Sequence, residues 1–247
     1  MPQTQEDHVF QAVRHGILAG ELLVGEFLSQ RKLAERFDTS LITLRSALRR
    51  LENDGLIENV PRWGVRIPED APEQVQDRYF MREVLELAAL ARALPNINEA
   101  QWRHLGELAV ACDTHEGDDE AAVRAFATAH QALHRCVVEY AGSPLLLEQY
   151  DRLMARNLML INARRGWATG RDRDRDNTHH QALIQSLREL SPAKAAAALC
   201  DHIRCGLERE LVVMKEVKAE KKSCEYAGAV DAGVPVGSRL GLGSGRR

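Results

Sequence analysis

The chain has 247 residues, 45% hydrophobic and 28% charged, with a formal net charge of -3. That length supports two ordinary hydrophobic cores, and the charge balance excludes a protein that coats nucleic acid along its whole surface. No apolar run is long enough to span a bilayer, and the N-terminus MPQTQEDHVF lacks the basic-then-apolar pattern of a secretory leader, so a cytoplasmic protein without a membrane partner is expected. Cys112, Cys136, Cys200, Cys205 and Cys224 are odd in number and form no CxxC pair. Free thiols are therefore expected.

In chain order, apolar spacing through Val9, Val13, Ile17 and Leu18 predicts a helix from about Asp7 to Ala19, closed by Gly20. A loop from Glu21 to Leu28 follows. Ser29 caps a short helix to Phe37, and Asp38-Thr39-Ser40 supplies a turn and a second cap. The next helix runs to Asp54 with Gly55 beyond it, and carries Leu44, Ala47, Leu48 and Leu51 on one stripe. Leu56 to Val60, a turn at Pro61 to Gly64, and Val65 to Ile67 read as a hairpin. Helix, helix-turn-helix and hairpin together predict a winged helix. From Ser29 to Arg50 six basic residues (Arg31, Lys32, Arg36, Arg45, Arg49, Arg50) face two acidic ones (Glu35, Asp38), a local charge of +4 on an acidic chain. A localised nucleic-acid contact is the expected use of such a patch.

Pro68 to Pro72 marks a boundary between a domain at 1–70 and one at 71–216. The second domain shows only helical periodicity, broken into six helices, so the fold class is mainly α: a winged helix-turn-helix followed by an all-α six-helix bundle. Residues 217–247 are rich in small residues without an apolar period and are expected to form a disordered tail.

Four histidines fall on inward stripes of that bundle. His130 and His134 are one helical turn apart, in register with Phe126, Leu133, Val137 and Ala141. His180 is in register with Leu183, Ile184 and Leu187, and His202 with Leu199 and Cys205. One such histidine is more often a hydrogen-bonded core residue, but four pointing into one bundle predict a metal site. An all-imidazole set suits a divalent transition metal, zinc or nickel first. His179 points about 100° from His180, toward solvent. Asp172, Asp174 and Asp176 alternate like the start of a calcium loop but lack its glycine and distal glutamate, and read as a charged loop.

The N-terminal segment resembles the GntR family of bacterial transcription regulators through Gly20, Gly25-Glu26, Leu28, Leu33-Ala34-Glu35, Ser40, Arg45, Ala47-Leu48, Leu51-Glu52 to Gly55-Leu56, and Gly64. The C-terminal part resembles the FCD effector domain of the same family, six helices being closer to its VanR-like branch than to the seven-helix FadR type. The segments that carry this are His130-Gln-Ala-Leu-His134, Gly142-Ser143-Pro144, His180-Gln-Ala-Leu-Ile184 and the run ending Asp201-His202-Ile203.

The resemblance implies a homodimer on double-stranded operator DNA, with Arg31, Ser40, Thr43, Arg45, Ser46, Arg49 and the wing glycine Gly64 at the interface. It implies that a small carboxylate effector completes the coordination of a metal held by His130, His134, His180 and His202. Arg82, in an Arg-x-x-Leu-Glu run, either clamps that carboxylate or forms an ion pair with Glu86 one turn on. Two positions depart from the family pattern. Leu41 replaces an arginine and either extends the packed face or touches a thymine methyl, and His130 stands where the family has an aspartate ligand. The expected function is a ligand-responsive transcriptional repressor without catalysis. Two other readings stay open: a metal-dependent hydrolase or lyase built on the histidines, and a DNA-binding protein whose bundle only dimerises.

Overall fold

The structure, a computed structural model of the chain, describes residues 4–18, 21–22, 25, 27–114, 120–165 and 179–231. Helices α1 (Gln5–Leu18), α2 (Gln30–Arg36) and α3 (Leu41–Asn53) pack with strands β1 (Phe27–Leu28), β2 (Glu58–Val60) and β3 (Gly64–Arg66). Their shared core contains Val9, Val13, Ile17, Leu33, Leu44, Leu48, Leu51, Leu56, Val65 and Ile67. The periodic stripe expected for α3 is the buried one, Leu44, Ala47, Leu48 and Leu51. Ser40 starts α3 by accepting a hydrogen bond from Thr43 N, and Gly55 follows it with φ 70°. Both ends are thus set by the local chemistry that caps helices.

The expected loop up to Leu28 needs correction. Phe27 and Leu28 pair antiparallel with Arg66 and Val65, giving a three-stranded sheet in the order β1-β3-β2. Two residues are too few to show strand alternation in sequence, and the wing edge supplies the pairing. The same pairing makes Gly64 structurally demanding: its φ is 102°, and a Cβ there would lie 2.4 Å from the Leu28 carbonyl oxygen. Gly64→Ala should therefore cost more than about 1 kcal/mol and loosen the wing, measured by chemical denaturation.

Six α-helices form the second domain among the described residues: α4 (Pro72–Ala93), α5 (Glu99–Asp113), α6 (Glu120–Tyr140), α7 (Pro144–Arg165), α8 (His179–Glu189) and α9 (Pro192–Asp231). Proline opens three of them, where its missing N–H costs nothing. Their interior holds Val75, Leu90, Leu105, Leu133, Val137, Leu183, Leu187, Leu199 and Ile203, and a smaller cluster gathers round Tyr150, Val138 and Met154. Helix α9 continues to Asp231, past the expected end at 216. The apolar period fades there, but Glu216 to Tyr226 contains neither Pro nor Gly and is rich in good helix formers, so propensity sustains the helix. The remainder of the expected tail, 232–247, lies outside the described residues, as do the Asp172, Asp174 and Asp176 loop and the side chain of His179.

The two domains touch through α7. Ala155 joins the winged-helix core, and Arg156 donates to the Gly55 carbonyl oxygen at 3.0 Å and to Asp70 at 2.6 Å. Asp70 is also paired with Arg78. The linker is consequently pinned by buried charge.

Candidate metal centre and nucleic-acid interface

All six bundle helices contribute to one polar focus. Helix α6 brings His130 and His134, α8 brings His180 and α9 brings His202. The His134 Nε2 lies 3.1 Å from both His130 Nε2 and His202 Nε2. Ligand nitrogens of His130, His180 and His202 lie within 4.8 Å of one another. Nitrogens about 2.0–2.1 Å from a common ion stand ~3.0–3.4 Å apart, so the closest pairs already have the spacing of neighbouring ligands.

Behind the imidazoles stand two carboxylates, Glu86 and Asp113, that helical periodicity does not assign to the histidines. The Nδ1 of His134 is 2.7 Å from Glu86 Oε2, and the Nδ1 of His180 is 2.7 Å from Asp113 Oδ1. Each carboxylate fixes its ring and leaves Nε2 facing inward, the arrangement that orients metal-binding histidines. Asp113 also caps α8, accepting from Gln181 N at 3.0 Å and from His180 N at 3.3 Å. The register Leu105, Ala109, Cys112, Asp113 is the sequence signal for its inward position. Glu86 accepts from Arg82 Nε at 2.7 Å and from the Tyr150 hydroxyl at 3.1 Å. Arg82 thus makes the ion pair with Glu86, while its Nη2 has no hydrogen-bond partner among the described residues.

Burial governs the electrostatics. It pushes His130 well below the ordinary histidine range and His202 down to about 2, with His134 adding to both shifts. His134 is also lowered by burial, although Glu86 opposes the shift. Burial would raise Glu86, but His134 and Arg82 outweigh it and hold the carboxyl well below the usual range. Neutral imidazoles above an ionised carboxylate are the protonation states a transition metal requires, so the donor set fits zinc or nickel.

These shifts carry a sign for stability. The folded histidines bind fewer protons than the unfolded chain, so their contribution is complete above about pH 6.5 and is lost as pH falls toward the folded pKa values. In chelator, unfolding free energy should drop by up to ~1.4 kcal/mol per pH unit for each such group below pH 6.5. Denaturation curves at pH 7.5, 6 and 5 measure this directly.

The second focus is the outward face of α3. Arg45 and Arg49 are exposed, and Arg45 Nε donates to Gln30 Oε1 at 3.0 Å. Gln30 is held in turn by Asn59, and Asn59 by Glu52 at 2.7 Å. Thr43 Oγ1 is 2.8 Å from Ser40 Oγ, and Ser46 Oγ donates to Glu6 at 2.8 Å. Arg31 is exposed beside Glu35. Leu41 is outside the core and exposed, which removes the packed-face alternative. At the wing, Trp63 is exposed against Phe27, and Arg62 takes a positive φ of 71°.

Residues 5–67 match the gntR family of bacterial regulatory proteins, and residues 77–204 match the FCD domain. The chain belongs to the GntR family. Among the relatives of this GntR-family chain is a protein of Paenarthrobacter nicotinovorans named the probable D-xylose utilization operon transcriptional repressor. It is 27% identical over 187 residues, spanning 76% of this chain and 80% of that protein. The transcriptional repressor RspR of Escherichia coli K12 is 24% identical over 62% of this chain and 66% of its own length. A solved GntR regulator from Rhodococcus sp. RHA1 has the same fold, with a TM-score of 0.68 at 19% identity over 85% of this chain and 98% of that one. E. coli McbR/YncC gives 0.64 at 16% identity over 87% and 100%.

The GntR chain is accordingly a DNA-binding transcriptional regulator, and the hydrolase or lyase reading is set aside because its family and relatives regulate transcription. No described helix is long and apolar enough to cross a membrane.

Proposed function

We propose that this regulator is a homodimeric repressor whose operator affinity is set by a small carboxylate bound at a metal-containing site in the bundle. The observation that carries this is the buried Arg82 Nη2, without a partner among the described residues, on the side chain that pairs with Glu86 behind His134. His130, His134, His180 and His202 would hold zinc or nickel, which supplies a Lewis-acidic anchor for a carboxylate oxygen. Arg82 supplies the second anchor, and its planar guanidinium suits a carboxylate. A cavity of about 260 Å³ lined by Ser186, Ala198, His202 and Cys205 gives access beside the cluster.

At the DNA, Arg45 and Arg49 are assigned base or phosphate contacts and Arg31 a phosphate contact. Ser40 caps the reading helix, Thr43 and Ser46 lie in its first two turns, and Gly64 lets the wing approach the duplex. Helix α7 offers a route between the two foci. Its Tyr150 touches Glu86, and its Arg156, six residues on, holds Gly55 and Asp70. Only an effector that binds the two dimer arrangements with different affinity can use such a route.

Thermal-shift screening of organic acids on the zinc- or nickel-loaded protein tests the assignment. An acid that binds the folded state should raise the melting temperature with concentration, and Arg82→Lys should weaken it about 10- to 100-fold by losing the fork while keeping a charge beside Glu86. Equal binding to Arg82→Lys would remove Arg82 from the site.

A further inference from the structure

The outward face of α3 begins with a large apolar side chain that lies outside the core of the described residues. Ile42 is 80% exposed and its neighbour Leu41 is 40% exposed, while the core is completed by Leu44, Ala47, Leu48 and Leu51. Exposing a branched aliphatic chain forgoes its burial energy, so the fold gives no reason for it. Ile42, Arg45 and Arg49 follow at three- and four-residue spacing and form one stripe.

The polar groups around Ile42 are already committed. Ser40 Oγ accepts from Thr43 N at 3.1 Å and bonds Thr43 Oγ1, and Ser46 donates to Glu6. Arg45 is steered by Gln30 through Nε. The N-terminal end of a helix-turn-helix reading helix is where base edges are met. At that end this chain therefore offers branched aliphatic groups beside two guanidinium groups, with its hydroxyls already engaged by protein groups. The one apolar feature on a base edge in the major groove is the thymine 5-methyl group. Arg45 and Arg49, assigned base or phosphate contacts, would flank it with positive charge.

We propose that Ile42 is a specificity-determining residue that packs on a thymine 5-methyl in each half-site of the operator. Leu41 borders the same contact and shields it from water. Recognition in this chain is then divided between an apolar contact at the start of α3 and the guanidinium contacts of Arg45 and Arg49.

The full-length chain and its Ile42→Ala and Leu41→Ala variants would first be used to select duplexes from a randomised DNA library. Each thymine of the wild-type site is then replaced singly by deoxyuridine, which removes only the methyl group. The wild type should lose about three- to tenfold in affinity at one symmetry-related thymine per half-site, the scale of one buried methyl group. Ile42→Ala should bind the parent site more weakly by a similar factor and be indifferent to uracil there, with unchanged melting temperature. Selection of the same site by Ile42→Ala, with an undiminished uracil penalty, would overturn the proposal. So would a uracil penalty abolished by Leu41→Ala and kept by Ile42→Ala.

Discussion

Glu86→Ala is expected to destabilise the bundle by about 3–5 kcal/mol, because it strands a cation inside the protein. Glu86 is fully buried and joins Arg82 from its own helix, His134 from α6 and Tyr150 from α7. Removing it leaves the Arg82 guanidinium desolvated and unpaired, and frees the His134 ring to rotate. Glu86→Gln preserves shape and one acceptor and should fall between wild type and Glu86→Ala. Adding Arg82→Met to Glu86→Ala removes the stranded charge and should recover much of the loss, since an isolated buried charge costs more than an apolar pair. Urea denaturation of wild type, Glu86→Ala, Arg82→Met and the double variant supplies the cycle, with Glu86→Gln as a fifth protein. A loss below 1 kcal/mol for Glu86→Ala would show that the pair is not buried as described.

His134→Ala is expected to take metal content from about one ion per chain to a small fraction of that. Its Nε2 stands 3.1 Å from the Nε2 of His130 and 3.1 Å from that of His202, at the centre of the proposed donor set. With it goes the stabilisation that metal provides, ~2.7 kcal/mol at a free concentration one hundred times Kd. Asp113→Asn keeps the four imidazoles but weakens the hold on His180, and should cost about 10- to 100-fold in metal affinity. Elemental analysis and chelator competition read both effects. Retention of stoichiometric metal by His134→Ala would assign the ion to other residues, and absence of metal from wild type purified without chelator would make the histidines structural.

The features that were legible in sequence are those that one helix can declare by itself. His130, His134, His180 and His202 each share a 3.6-residue period with apolar neighbours, so their inward direction follows from the order of residues alone. Ser40 and Gly55 mark the ends of α3 by the same local logic. The supporting carboxylates are different in kind. Glu86 meets His134 across 48 residues and Asp113 meets His180 across 67, and no period within α4 or α5 announces a partner on another helix. Glu6, which occupies the Ser46 hydroxyl from 40 residues away, was hidden for the same reason. Pairing of Phe27 and Leu28 with β3 also depends on a distant edge. Ile42 belongs to both groups: its position off the apolar stripe is local, but its meaning rests on the hydroxyls around it being engaged elsewhere.

A switch requires that the bundle site and the reading helix share one equilibrium. Operator affinity of the full-length protein, measured on a selected site with the metal-loaded form, the chelated form, and the loaded form with each stabilising acid, tests that link most directly. At least a fivefold change in Kd on adding the stabilising acid, lost in His134→Ala and reduced in Arg156→Ala, is the predicted result. An operator Kd that stays the same with metal, with chelator and with every acid that binds the bundle would contradict it.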